Sequence, residues 1–199
     1  MRRRDRFIKR SFDLGVSSAG LLLLWPLIAA GWIVASIETR SNGFFLQERV
    51  GRGGKRFKVL KLKTMKPVDK IDTTVTTAHD ARITRSGRFL RKSKIDELPQ
   101  LWNVLTGDMS LVGPRPDVPG FADRLEGEDR IVLSVRPGIT GPATIKYKNE
   151  EDILAQQKDP ERYNREVIWP DKVRINKAYI RNWRFFEDMK IILQTIKGG

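Results

Sequence analysis

The chain of 199 residues contains no cysteine and a single histidine, His79. Without cysteine it can form neither a disulfide framework nor a thiolate metal site. One histidine leaves little room for a histidine-cluster metal site or a Ser-His-Asp triad. Acidic residues are also scarce, with 24 Asp and Glu against 38 Lys and Arg, a formal net charge of +14. Hard-metal chemistry with oxygen ligands remains possible. The length suits a single domain of ordinary size, and the positive charge calls for a partner that carries negative charge. Nucleic acid, anionic lipid and phosphorylated small molecules all qualify.

Charge is missing altogether from one long apolar run, residues 14–37, between Asp13 and Glu38. As a straight helix the run would rise about 36 Å, enough to cross a hydrocarbon core of about 30 Å. A signal peptide is the competing interpretation because the chain opens with three arginines, but Ser36-Ile37-Glu38 is a poor cleavage site. The run is therefore predicted to be a membrane segment.

The flanks of this segment, residues 1–13 and 38–66, are both basic, so charge does not assign one flank to each side of a membrane. Pro26 lies midway and would kink a helix. Two half-helices of about 18 Å each could enter and leave on one face. The residues themselves leave a re-entrant segment and a full span equally open.

The rest of the chain predicts a small α+β domain. Residues 44–47 and 57–62 alternate as strands around a Gly-rich turn at 51–54, which indicates a hairpin. Residues 66–80 are polar and Thr-rich and predict a flexible loop. A short helix is predicted over residues 84–92.

A further helix is predicted from a stripe of apolar residues at three- and four-residue spacing, closed by Gly107. The stripe comprises Ile95, Leu98, Leu101, Trp102 and Leu105. The helix could begin at a capping Ser93 or beside Pro99. In both cases Asp96 and Glu97 lie near its N-terminus, where anions and bound phosphate are favoured.

The tail, residues 170–197, predicts one long basic amphipathic helix. Its apolar stripe could pack on the core, or the helix could lie on an anionic membrane.

Asp96 and Glu97 are the candidate reactive residues. A helix cap plus a solvated acid is the plainer interpretation, but arginines surround the pair: Arg82, Arg85, Arg88 and Arg91 precede it, and Arg115 follows in the turn Pro114-Arg115-Pro116. Guanidinium groups bind phosphate oxygens bidentately. Two carboxylates also suit Mg2+, which takes one or two carboxylates plus substrate phosphates and waters. A carboxylate can itself act as a nucleophile and form an acyl phosphate.

Nearly the whole chain closely resembles the bacterial sugar transferases, the monotopic phosphoglycosyl transferases that initiate glycoconjugate assembly. The motifs that carry the resemblance are Lys9–Asp13, Gln47–Gly51, Phe57–Lys61, Asp80–Thr84, Asp96–Val104, Gly107–Pro116 and Arg136–Gly141. A chain of this length is similar to the minimal catalytic form of the family.

The resemblance implies transfer of a sugar 1-phosphate from a UDP-sugar to undecaprenyl phosphate, with release of UMP and a requirement for Mg2+. It implies that Asp96 is the nucleophile and carries a covalent phosphosugar, and that Glu97 holds metal or assists proton transfer. Arg91 and Arg115 match arginines at the phosphate site, with Arg82 and Pro114 assigned to the same site.

The resemblance also implies a re-entrant helix broken at Pro26 in residues 1–40, and a catalytic domain with amphipathic interfacial helices in residues 41–199. That domain would lie at the cytoplasmic face of the bacterial inner membrane, in contact with its lipids and not with nucleic acid.

Two departures from the family pattern are Trp25, where Ser is usual before the break, and Asn176, where Asp is usual. The alternative function is a non-enzymatic, membrane-anchored basic module that binds anionic lipid or nucleic acid. The sugar, the pathway and the oligomeric state stay open, although residues 143–170 are the expected place for sugar selection.

Overall fold

The computed structural model describes residue 1, residues 3–66 and residues 80–198. The predicted loop over 66–80, with His79, falls outside the described residues except for its two ends. The helices are α1 (Arg3–Thr39), α2 (Arg85–Lys92), α3 (Gln100–Thr106), α4 (Pro142–Lys146), α5 (Glu150–Ala155), α6 (Pro160–Tyr163), α7 (Trp169–Arg181) and α8 (Phe185–Ile196). The strands are β1 (Phe44–Val50), β2 (Arg56–Leu62), β3 (Ser110–Val112) and β4 (Gly138–Thr140). The predicted α+β class is confirmed.

The hairpin is confirmed as an antiparallel pair, with Phe44 opposite Leu62 and Val50 opposite Arg56. Its turn needs glycine because Gly53 and Gly54 have φ of 72° and 80°, a region that glycine enters without steric cost. A second pair, β3 with β4, is parallel. The sequence analysis did not predict it, because three-residue strands carry too little alternation.

The short helix is confirmed as α2, where the Thr84 side chain accepts a hydrogen bond from the Gly87 N–H. Of the two starts predicted for the next helix, the one beside Pro99 is confirmed and the one at Ser93 is wrong. Residues Ile95–Glu97 form a separate 3-10 turn, and α3 begins only at Gln100, directly after Pro99. Lys94 has a φ of +57°. The chain turns there, which separates the Asp96-Glu97 pair, called the dyad below, from α2. Gly107 ends α3 with a φ of 95°, as predicted.

The single tail helix predicted over 170–197 is wrong: α7 and α8 are separate helices joined at Asn182–Arg184. A buried carboxylate accounts for the bend. Asp188 accepts hydrogen bonds from the Tyr179 hydroxyl at 2.6 Å and from the Trp183 indole at 3.0 Å, and it pairs with Lys9 at 2.5 Å. Asp188 therefore faces inward. Phe186, Leu193 and Ile196, which belong to the apolar stripe predicted for the tail, are exposed.

The main core lies between α1, α3, the hairpin and α8. Its buried members are Val59, Leu101, Val104, Met109, Leu111, Val112 and Ile191. A smaller cluster forms beside it from Val50, Ala122 and Leu133, against which Leu125 and Trp169 pack.

Helix α1 is a single helix that continues through Pro26. The prediction that the helix is broken at Pro26 is therefore wrong. Its buried residues are Asp13, Ser17, Gly31, Ala35 and Thr39, a stripe along one face. Pro26 lies on the opposite, exposed face, where its ring costs one backbone hydrogen bond without disturbing the packed side. By length and composition α1 could cross a membrane.

Both ends of α1 are bonded to the same domain. Near its start, Arg10 donates to the Val104 carbonyl at 2.6 Å and the Asp13 carboxylate accepts from the Leu111 N–H at 3.1 Å. Near its end, the Glu38 carboxylate accepts from the Arg85 N–H at 3.1 Å. A helix held in this way lies along the domain and keeps exposed apolar side chains on its outer face.

Candidate active site

The dyad sits on the 3-10 turn Ile95–Glu97, between α2 and α3, and both carboxylates are buried, with 7% of Asp96 and 9% of Glu97 exposed. Their neighbours in space come from parts of the chain that are distant in sequence: β2, the loop after β3, and the end of α2. Burying two adjacent carboxylates is costly unless each finds a counter-charge, a proton or a ligand.

Glu97 has its counter-charges. Lys61 on β2 donates to its Oε1 at 3.0 Å. Arg115 donates to the same oxygen at 2.5 Å and to Oε2 at 3.4 Å. Burial by itself would raise the pKa of Glu97, but the charges of Arg115 and Lys61 hold that pKa well below its usual range. Glu97 is therefore a fixed anion that holds two cations in place.

Asp96 is in the opposite condition. Its Oδ1 is buried and has no hydrogen-bond partner among the residues described. Burial, followed by the charge of Glu97, raises the pKa of Asp96 to about 6, although Lys61 and Arg91 oppose the shift. A buried acceptor without a donor can bind a proton or a cation, or react with an electrophile.

Arg115 is positioned by its backbone neighbours. The Arg49 guanidinium on β1 donates to the Pro116 carbonyl at 3.0 Å, and the Val50 N–H donates to the Asp117 carbonyl at 2.9 Å. On the other side, the Gly138 N–H donates to the Pro114 carbonyl at 2.8 Å. Pro114 thus supports the turn through its backbone.

Arg91 and Arg82, the other arginines predicted for the site, have carboxylate partners outside the dyad. Arg91 pairs with Glu151 of α5, yet it lies near enough to Asp96 to lower that carboxyl's pKa. Arg82 binds both oxygens of Asp80, at 3.0 and 2.7 Å, and the pKa of Asp80 is lowered first by that bond and also by Arg91. Arg91 therefore adjoins the dyad, whereas Arg82 is bound to Asp80.

Lys61, Arg49 and Asp117 were missed as site residues by the sequence reasoning. A signal for Lys61 was present, because residues 57, 59 and 61 share one face of β2 and Val59 is buried. Arg49 lies within the family motif Gln47–Gly51, but no role was assigned to it there. Its pKa is lowered to about 10 by burial and by Arg115. Burial also raises the pKa of Asp117 to about 6, against the charges of Lys172 and Arg49.

The two departures from the family pattern have different surroundings. Trp25 is 62% exposed on the outer face of α1, so it supports no bend toward the domain. Asn176 is buried in α7, and its Oδ1 has no hydrogen-bond partner within the described chain.

Among the described residues, no group of three or more His, Asp or Glu side chains could hold a metal ion. The carboxylate pair has to be judged by itself. Asp96 offers an unpartnered oxygen, which fits a cation that fills its other positions with phosphates and water. Glu97 fits less well, since both of its oxygens already accept from Lys61 and Arg115.

Comparison with known proteins identifies the family of this chain. The family described as bacterial sugar transferase matches residues 4–198. The chain is 35% identical over 202 residues to the UDP-glucose:undecaprenyl-phosphate glucose-1-phosphate transferase of Escherichia coli (strain K12), covering 98% of this chain and 40% of that protein. It is 33% identical over 210 residues to the UDP-galactose-lipid carrier transferase of Erwinia amylovora, covering 96% and 40%. It is 38% identical over 201 residues to the undecaprenyl-phosphate glucose phosphotransferase of Komagataeibacter xylinus, covering 97% and 36%.

The chain thus spans 40% or less of the length of these three relatives. The shared part includes the hairpin, the dyad and the loop that carries Arg115. Since the family match extends over nearly all of its residues, the chain belongs to the bacterial sugar transferase family.

Proposed function

We propose that this protein is a phosphoglycosyl transferase that moves a sugar 1-phosphate from a UDP-sugar to undecaprenyl phosphate and releases UMP. The observation that carries the proposal is the asymmetry of the dyad: Glu97 is held by Lys61 and Arg115, while Asp96 keeps a buried oxygen without a partner. The names of the relatives support the reaction class, because both name undecaprenyl phosphate and the transfer of a glucose phosphate group, and one names UDP-glucose as well.

In the first step an Asp96 carboxylate oxygen attacks the β-phosphorus of the donor. The bond between that phosphorus and the bridging oxygen breaks, and UMP leaves with the electron pair. In the second step a phosphate oxygen of the lipid attacks the same phosphorus. The bond to Asp96 breaks, the carboxylate is regenerated, and a lipid-linked diphosphosugar forms. Splitting the transfer in this way is the usual gain from covalent catalysis.

Glu97 acts as a positioning residue in this proposal. It fixes Lys61 and Arg115 beside Asp96, where their charges stabilise the negative charge that develops on the transferred phosphoryl group. Arg91 becomes available to a donor phosphate if that phosphate displaces the half-exposed Glu151 carboxylate. Bidentate binding of phosphate favours arginine at both positions.

The proposed reaction requires Mg2+. The unpartnered Asp96 oxygen would hold it together with donor phosphates, and Glu97 would take part only by releasing one of its cations. When bound, the ion neutralises the diphosphate and polarises its phosphorus.

We further propose a monotopic placement at the cytoplasmic face of the inner membrane. Helix α1 would lie within one leaflet and return both ends to the same face, because both ends are bonded to one domain. Its outward apolar residues include Leu22, Leu23 and Trp25. The exposed Phe186, Leu193 and Ile196 of α8 would add a second, interfacial contact.

The test is a panel of UDP-sugars assayed for UMP release with undecaprenyl phosphate and Mg2+, together with intact-mass analysis after mixing with donor alone. We expect one donor to release UMP and to add the mass of a phosphosugar. Asp96→Asn should abolish both signals while the protein still folds, and Glu97→Gln should lose most of the turnover.

Full turnover by purified Asp96→Asn would eliminate Asp96 as the nucleophile. Absence of UMP release with every donor would instead favour the alternative function, a basic module that binds anionic lipid or nucleic acid.

A further inference from the structure

A second cleft lies apart from the dyad, between the segment after Arg115 and the start of α7. Its volume is about 270 Å³, and its lining residues are Gly120, Phe121, Arg124, Leu125, Arg165 and Trp169. None of these residues has a role in the catalytic steps proposed above.

The charge in this cleft is entirely positive. Neither the Arg124 nor the Arg165 side chain has an ion pair or hydrogen bond within the described chain. Arg162, one helical turn from Arg165, is by contrast bound at 3.0 Å by Glu166. Two guanidinium groups that converge on one cavity without a carboxylate favour an anionic ligand, and phosphate suits their planar donors.

The apolar part of the lining is aromatic. The Phe121 and Trp169 rings meet edge to face, with centroids 5.4 Å apart and planes at 74°. Arg165 and Trp169 are brought to the cavity by the π-helical turn Asn164–Ile168, a rare local structure that is frequent at functional sites. Aromatic walls beside arginines suit a planar ring that carries phosphate.

The cleft adjoins the candidate active site. Trp169 packs on the cluster of Val50, Ala122 and Leu133, and those same three residues line a small cavity together with Arg115 and Asp117. Gly120 follows Arg115 by five residues, so the chain keeps the two within about 18 Å. Helix α1 packs mainly against α2, α3 and the strands, away from this cleft. A water-soluble ligand therefore fits better here than a lipid.

We propose that this cleft binds the nucleoside monophosphate half of the donor, with the base against Phe121 and Trp169 and the guanidinium groups of Arg124 and Arg165 toward its phosphate. The assignment rests on the proposed function for its choice of donor. It makes the cleft the place where the nucleotide is recognised, with the phosphate end directed toward Arg115 and the dyad, because the phosphorus that Asp96 attacks is one bridging oxygen away from the nucleotide's own phosphorus.

The test compares Arg124→Gln/Arg165→Gln with a control of equal charge loss, Arg130→Gln/Arg162→Gln, in the full chain. All four arginines are exposed, so folding should survive in both. UMP binding is measured by titration calorimetry without donor or lipid. We expect the first variant to bind UMP about tenfold more weakly, a loss of about 1.4 kcal/mol, and the control to match the parent within about twofold.

Kinetics supply the second readout. The KM for the UDP-sugar should rise about tenfold in the first variant with kcat largely kept, as removal of uniform binding energy requires. Unchanged UMP affinity, or a rise only in the KM for undecaprenyl phosphate, would overturn the cleft assignment while the proposed reaction stands. If the parent protein releases no UMP from any donor, the proposed function fails. The calorimetry then still decides the cleft: binding that the variant weakens supports it, and no binding by the parent refutes it.

Discussion

At the residue scale, two neighbouring carboxyls in one burial environment have opposite protonation tendencies because their partners differ. Glu97 receives Lys61 and Arg115, whereas Asp96 has an oxygen without a donor. Adjacent acids driven apart in pKa divide into different roles, one a fixed charge and one a reactive group. A single position on a turn thus separates the acid that is held as an anion from the acid that keeps an unpartnered oxygen.

The rate of phosphosugar formation should rise with pH through about 6, because the attacking group is the carboxylate and the pKa of Asp96 is raised to about 6 by burial and by Glu97. Single-turnover UMP release from pH 5 to pH 8 measures this. The pKa of Glu97 lies well below this window, so it adds no second step. A rate that does not change between pH 5 and pH 8 would contradict the assignment.

The same shift predicts a stability effect. The pKa of Asp96 is higher in the folded chain than the ordinary 3.8, so the folded state holds the proton more tightly. Stability is lost as pH rises from about 4 to about 6, and the penalty persists above. Asp96→Asn should therefore raise the melting temperature at pH 8. The exposed Asp108→Asn serves as the control and should leave it nearly unchanged.

At the element scale, α1 depends on small residues where it meets the domain. A Cβ placed on Gly31 would come within 2.5 Å of the Leu62 Cδ1, and one on Gly20 within 3.0 Å of the Leu101 Cδ1. The helix approaches β2 and α3 this closely because these positions carry no side chain. The apolar composition of residues 14–37 predicts a helix, but it does not reveal which face packs on the domain.

Gly31→Leu should destabilise the protein by about 1–3 kcal/mol, the range for overpacking a close contact. Gly15→Leu is the matched control, because a Cβ at Gly15 meets nothing within 4 Å. Thermal unfolding of both variants in the same detergent makes the comparison. Equal melting temperatures would mean that α1 does not pack on the domain in this register.

At the scale of the whole molecule, α1 and the domain pack into one unit, and the outer face of α1 carries exposed apolar side chains. The basic flanks on both sides of the apolar run agree with the proposed monotopic placement, in which both flanks remain at the cytoplasmic face. A domain bonded to residues near both ends of α1 would have to enter the hydrocarbon if that helix crossed the bilayer.

The absence of cysteine makes this placement testable. Single-cysteine variants at the exposed Arg3 and Lys55 place one thiol before and one after the apolar run of residues 14–37. Both should react with a membrane-impermeant maleimide in inverted inner-membrane vesicles. Neither should react in intact spheroplasts, and detergent-solubilised protein controls for reactivity. Labelling of the two positions from opposite sides would establish a span and exclude the monotopic placement.

Much of the local structure follows from sequence alone. The hairpin with its glycine turn, the short helix over 84–92 and the end of α3 at Gly107 depend on neighbours within a few residues, and each was predicted. The start of α3 was left open between Ser93 and Pro99, and the structure places it beside Pro99. The division between α7 and α8 was not predicted, because it depends on contacts of the Asp188 carboxylate with Tyr179, Trp183 and the distant Lys9.

The sequence by itself determined the positive charge, the exclusion of thiolate chemistry, the apolar N-terminal helix and the presence of an acidic pair among arginines. Only the tertiary structure decided that Lys61 and Arg115 neutralise Glu97 and that one Asp96 oxygen is left without a partner among the described residues. It also decided that α1 lies against the domain as one helix that continues past Pro26. The physical reason is that charges and packing surfaces act through space. Residues 61, 97 and 115 share an environment that no local pattern encodes.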